Sequence, residues 1–236
     1  MLTLKALNGP PPRCSYCIAR GSGFTLAEVL VTLGIIGVVS AMTVPSLMQN
    51  HQRKTYVTQL HKVYNELSQA ALQYMTDKNA INLTEAGLMD GNAIDAFMKK
   101  YFKIVQDCNT DTADCIATDY KKMDGAGIEP FSDDEKYDFR HYVLANGSLI
   151  SLGAYSNNKI QVHLDINGKK GPNIIGRDTF AFNLYSTGII DDECVQPPCS
   201  TDARENYFEK YCISSTTSSW WGCFGKILND NWEMTY

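Results

Sequence analysis

Glu28 makes the strongest chemical demand in this sequence. It lies near the start of residues 23–48, GFTLAEVLVTLGIIGVVSAMTVPSLM, a run with no charged side chain from Val29 to Val44. A carboxylate in such surroundings is costly and requires a specific partner. Its spacing suggests one. Four residues along a helix make about one turn, roughly 6 Å, so Glu28 stands one turn from Phe24. If the chain were cut before Phe24 and such helices then bundled with an axial displacement, the Glu28 carboxylate of one could meet the Phe24 ammonium of a neighbour inside an apolar core. Deleting either member of such a pair strands the other charge, so the pair would enforce register more than add stability. The competing reading is an interfacial carboxylate that snorkels to lipid headgroups.

Other residues offer different chemistry. Asp165, Asn167 and Asp178 bracket a Gly-rich segment that begins like a calcium loop. It lacks the terminal Glu of an EF-hand, and Lys169, Lys170 and Arg177 oppose a cation, so a turn shaped by its Asn and Gly residues competes with a calcium site. No other cofactor is expected. Cys108, Cys115, Cys194, Cys199, Cys212 and Cys223 are candidate disulfide partners if this part of the chain is exported. Pairing Cys108 with Cys115 and Cys212 with Cys223 is preferred because each pair flanks a turn-rich loop of bridgeable length, and Cys194 with Cys199 follows by elimination. Cys14 and Cys17 form a lone CxxC with no second pair or nearby His, which reads as coincidence. His51, His61, His141 and His163 have no metal-ligand spacing, and no nucleophile elbow, phosphate loop or zinc pattern appears. Asp133 and Asp134 sit in a polar run and read as solvated. No enzyme is expected.

The elements that must position these groups follow from periodicity. Apolar residues at Tyr56, Leu60, Val63, Tyr64, Leu67, Ala71, Tyr74 and Met75 recur at three and four, one helical stripe. With only Pro45 interrupting, a helix could run from Phe24 to about Asp77, roughly 80 Å. Pro45 removes one backbone hydrogen bond and should kink or loosen it. Residues 24–48 reach the roughly 20 residues that span a bilayer. A short helix is expected over Asn92–Val105, followed by loops through Lys136. Strands are expected at Phe139–Ala145 and Ser148–Ala154 around the hairpin signal Asn146-Gly147, at Lys159–Ile166, and at Thr179–Leu184. Three or four antiparallel strands with one apolar face need a lid, and the helical stripe supplies it. Beyond Asp191 the chain is irregular, with a possible helix over Asp202–Tyr211. Trp220, Trp221 and Trp232 read as packing aromatics rather than a ligand platform.

Charge is uneven. Residues 1–23 carry Lys5, Arg13 and Arg20 with no acid, so the remaining 18 basic and 26 acidic side chains leave the rest of the chain at −8. The acidic remainder argues against general nucleic-acid binding. A basic leader before an apolar segment is expected to stay cytoplasmic, with the following domain extracytoplasmic. One alternative is an ordinary secretory signal cut after Val39-Ser40-Ala41, which would release or tether a ligand-binding protein that never polymerises. That reading is disfavoured because the apolar run is longer than an h-region and contains Glu28.

Gly23 to Leu30, GFTLAEVL, resembles the prepilin-peptidase site of type IV pilins and type II secretion pseudopilins, a likeness that covers about residues 20–75 strongly. The resemblance implies cleavage after Gly23, N-methylation of Phe24, a helix-bending role for Pro45, and Glu28 as the acid that pairs with a neighbour's N-terminus. It also implies an α+β, pilin-like fold, with a long N-terminal helix packed on an antiparallel sheet and a disulfide-bearing C-terminal region. The implied organisation is a leader over 1–23, a membrane and filament-core helix over 24–48, and a globular domain over 49–236. That domain comprises an amphipathic half-helix (49–77), a sheet (about 139–190) and a Cys-rich tail (191–236). The implied partners are prepilin peptidase, other copies and related subunits, inner-membrane assembly machinery and the membrane itself. Major or minor subunit, pilus or pseudopilus, stays open.

Overall fold

The computed structural model describes residues 23–109, 112–129, 138–156, 159–213 and 219–236. The leader over 1–22, with Cys14 and Cys17, and the acidic pair Asp133 and Asp134 lie outside the described residues. The chain divides into two compact units, residues 1–47 and 48–236.

The first unit contains the start of α1 (Leu26–Asp77), which continues through Pro45 as α-helix. Every residue from Gly23 to Asn50 is exposed. The helix meets the length and apolarity needed to cross a membrane.

In the second unit, α1 buries Val57, Leu60, Val63, Leu67, Ala70, Ala71, Tyr74 and Met75. These recur at three and four, as the stripe requires, and they join the main core with residues of the sheet. Next come α2 (Gly91–Tyr101), β1 (Ile104–Asp107), β2 (Tyr120–Lys121), β3 (Gly127–Ile128), β4 (Arg140–Leu144), β5 (Leu149–Ser156), β6 (Lys159–Asp165), β7 (Thr179–Tyr185) and β8 (Ile190–Asp191). The tail carries α3 (Thr201–Tyr207), a π-helical turn over Phe208–Cys212, and α4 (Cys223–Asn229).

Six strands form one antiparallel sheet in the order β1-β4-β5-β6-β7-β8, and β2 and β3 form a separate pair. Two edge strands therefore extend the expected sheet. The expected helix over Asn92–Val105 is shorter than its pattern. Asp90 caps its start by accepting from Asn92 N and Ala93 N, and Phe102 turns extended at φ −117, ψ 149. Ile104 then pairs with Leu144 at the sheet edge, and pairing with β4 overrides the helical period. The Asn146-Gly147 turn closes the β4–β5 hairpin with Gly147 at φ +87, a conformation that costs glycine nothing.

Both faces of the sheet are covered, not one. Ile150, Leu152, Ile160, Val162, Leu164, Phe180, Phe182 and Leu184 belong to the main core with the buried stripe of α1. Leu149, on the other face, packs with Tyr120, Ile116 and the Cys108–Cys115 loop. On that same face of β7, which is buried at every position, Asn183 Nδ2 donates to Glu193 Oε2 at 3.0 Å and Tyr185 OH donates to Asp192 O at 2.7 Å, so the start of the tail covers what alternation alone does not announce. Disulfides join Cys108 to Cys115, Cys194 to Cys199, and Cys212 to Cys223. The tail aromatics pack against the domain: Trp232 stacks on His61 at 4.0 Å, and Trp220 lies 5.2 Å from Tyr120 and 5.6 Å from His163, ring to ring.

Candidate functional site

The start of α1 is organised by a reciprocal cap. Thr25 immediately precedes the helix, and its Oγ1 accepts from Glu28 N at 3.2 Å. Glu28 Oε2 accepts in turn from Thr25 N and from Thr25 Oγ1, both at 2.8 Å. This is a T-x-x-E capping box: it satisfies amides that the first turn leaves without helical partners and places a negative charge at the positive end of the helix dipole. Sequence reasoning singled out Glu28 but missed Thr25, although the T-x-x-E spacing was the available signal.

The cap sets the geometry of the neighbouring junction. The helix begins at Leu26, so Gly23, Phe24 and Thr25 remain outside it, and the Phe24 side chain is 88% exposed. The Gly23–Phe24 peptide is thus presented as non-helical, accessible chain. Glu28 already reaches an amide nitrogen one residue beyond Phe24. Pro45 lies within the continuous helix, without the N–H that would otherwise bond four residues back.

Asp165, Asn167 and Asp178 do come together, in a hydrogen-bonded turn. Asp165 Oδ2 accepts from Tyr120 OH at 3.0 Å, and Oδ1 accepts from Asn167 N at 3.3 Å. The two Asp178 oxygens accept from Asn173 N at 2.8 Å and Ile174 N at 2.7 Å, while Asn167 Nδ2 donates to Gly171 O at 2.7 Å. The side-chain oxygens of Asn167 and Asn173 are buried without partners. Burial, with nearby Asp178 adding to it, pushes the Asp165 carboxyl up to about 7, and burial raises Asp178 as well. Among the described residues, no cluster of three His, Cys, Asp or Glu side chains is arranged to hold a metal ion. As it stands, the arrangement uses its carboxylates to brace a turn.

Two further buried acids lock the tail. Arg204 forms paired hydrogen bonds to Asp191, Nε–Oδ1 at 2.9 Å and Nη2–Oδ2 at 2.6 Å. Asp192 accepts from Glu193 N, Gly222 N and Gly225 N, and burial pushes its carboxyl up to about 6. His141 Nδ1 and Ser151 Oγ lie 2.7 Å apart on adjacent strands, both buried, so the pair bridges strands with no access for a substrate.

Comparison with known proteins bears on the N-terminal site. Residues 19–44 match the family model for the prokaryotic N-terminal methylation motif. Type II secretion system core protein G of Aeromonas hydrophila is 36% identical over 69 residues, 29% of this chain and 48% of that protein. The protein of the same name from Pectobacterium carotovorum subsp. carotovorum is 35% identical over 69 residues, 29% of this chain and 44% of its own length. The chain thus spans about half the length of the curated relatives it matches. No solved structure matches it. The stretch that holds the capped acid at the head of the exposed apolar helix is thus similar to proteins with the prokaryotic N-terminal methylation motif and to type II secretion system core protein G.

Proposed function

We propose that this chain is cut by prepilin peptidase between Gly23 and Phe24, methylated at Phe24, and polymerised through its N-terminal helix into a pilus or secretion pseudopilus. The role is structural rather than catalytic. The observation that carries this reading is the first half of α1, where apolar side chains find no cover within their own unit and the single acid lies at its head. A bilayer covers such a surface first, and a bundle of identical helices covers it afterwards. Glu28 of one subunit then accepts from the Phe24 ammonium of the next, and the capping box holds the carboxylate in position until that amine arrives.

The proposed topology keeps the basic leader in the cytoplasm and the globular domain outside the inner membrane. The three disulfides support this, since they persist in an oxidising compartment. The proposed partners are prepilin peptidase, other copies and related subunits, and the inner-membrane assembly machinery. The Ala41–Met42 bond lies inside α1, which supports cleavage at Gly23 over a signal-peptide cut there. Intact-mass measurement on the mature chain tests the proposal: a product beginning at Phe24 with one added methyl group is expected, and a product beginning at Met42 overturns it.

A further inference from the structure

The stretch of α1 just beyond the apolar run has an unusual charge pattern for an acidic chain. From Val29 to Asn65 there is no Asp or Glu, and the first cations after the run are Arg53 and Lys54. Arg53 follows Met48 by five residues, about 8 Å along the helix axis. It forms the ridge between two surface grooves. One, of about 580 Å³, is lined by Arg53, Lys54, Thr58, His61, Trp232 and Glu233 among others. The other, of about 440 Å³, is lined by Gln52, Arg53, Tyr56, Pro172 and Arg177 among others. Arg177 arrives from the turn before β7, so the fold brings a third cation to Arg53 across more than a hundred residues of sequence.

Among the described residues, none of Arg53, Lys54 and Arg177 forms a salt bridge. Among the described residues, Glu233 is the one acid that lines either groove, and Asp178, beside Arg177, is buried and turned toward backbone amides. Half-buried Trp232 and Tyr56 line the two grooves. Arg and Lys together with Tyr, one to three turns past the end of an apolar span, are the side chains that settle at headgroup depth, and Trp232, stacked on His61, lies just beyond them. Each cation near an anionic bilayer strengthens association about fivefold.

We propose that this collar of Arg53, Lys54 and Arg177 binds the phosphates of anionic phospholipids at the membrane surface and seats the globular domain there until the subunit is extracted. The inference rests on the membrane-anchored reading above. It goes further in assigning a lipid-binding surface to the domain and a lipid charge to its ligand.

The test uses the full chain in nanodiscs of phosphatidylcholine with or without about 30% phosphatidylglycerol, with exposed Thr58 replaced by photoreactive p-benzoyl-phenylalanine. After illumination, mass spectrometry should find phosphatidylglycerol adducts enriched about fivefold or more over that lipid's share of the disc. Arg53→Gln and Arg177→Gln should each lower the enrichment, and the triple variant that adds Lys54→Gln should reach the bulk ratio. Because these substitutions could also disturb the surface, the unsubstituted collar is measured in about 1 M NaCl as well, where screening should abolish the enrichment. Adducts at the bulk ratio, or crosslinks to a second copy whatever the lipid, overturn the proposal. Failure of the chain to enter discs of either composition overturns the anchored reading, and the collar with it.

Discussion

The two halves of α1 share one backbone and opposite fates. Between Leu26 and Leu47 the large apolar side chains are 41% (Val29) to 77% (Leu26) exposed. Between Met48 and Asp77, Leu60 and Leu67 are fully buried against the sheet. The first half is apolar all round and cannot be satisfied by a partner on one side, whereas the second carries a stripe that a single sheet can cover. The contrast separates intermolecular burial, which needs a bilayer or a bundle of copies, from intramolecular burial, which the domain provides for itself. A substitution in the first half should therefore register in assembly and one in the second half in folding.

The largest expected effect breaks the first half alone. Glu28→Val should leave processing intact, since Gly23 and Phe24 are unchanged and Thr25 Oγ1 can still cap the amide of residue 28, yet reduce co-assembly with wild-type subunits by more than about a hundredfold, because the neighbour's ammonium loses its counter-charge in an apolar core. Quantifying tagged variant subunits in isolated filaments checks this, and normal incorporation would refute the pairing. Next is a matched pair across the two halves. Leu67→Ala opens a cavity in the core and should cost about 2–5 kcal/mol, a fall of about 5–15 °C in Tm. Leu33→Ala, at a side chain 61% exposed, should leave Tm unchanged. Equal effects by calorimetry would erase the distinction between the halves.

The smallest effect sharpens the comparison from within the domain, at the turn before β7. Burial holds the Asp165 carboxyl up to about 7 in the folded chain, against an ordinary value near 4. Between those values the folded state keeps a proton that the unfolded state has lost, so this group's contribution to stability falls as pH rises through the window. Asp165→Asn cannot titrate, so its Tm relative to wild type should rise by about 3 °C or more from pH 5 to pH 8. Burial holds His163 down to about 3, which gives the opposite slope below about 6.5, but both proteins carry it and the difference cancels it. Calcium is the second arm of that measurement. A turn whose carboxylates are already committed to Tyr120, Asn167, Asn173 and Ile174 should show no shift in Tm at millimolar metal, and a rise would favour the calcium loop.

Much of the fold was legible because its signals are local. The stripe from Tyr56 to Met75, the Asn146-Gly147 hairpin and the alternation of β6 are set by 3.6- and 2-residue periods and by a turn that needs positive φ. The same locality hid other features. Residues 103–105 continue a helical pattern but join β1, because an edge pairing with Leu144 competes with the next helical turn. The burial of β7 on both sides depends on the tail, where Glu193 and Asp192 accept from Asn183 and Tyr185.

The N-terminal chemistry was determined by the sequence alone. A junction, a cap and a carboxylate within six residues need only helix geometry to be placed, and the apolar run needs only composition to demand cover. The collar around Arg53 was decided by tertiary structure. Arg177 and Trp232 reach it through the register of the sheet and the docking of the tail, and no local period encodes which distant residues those contacts bring together.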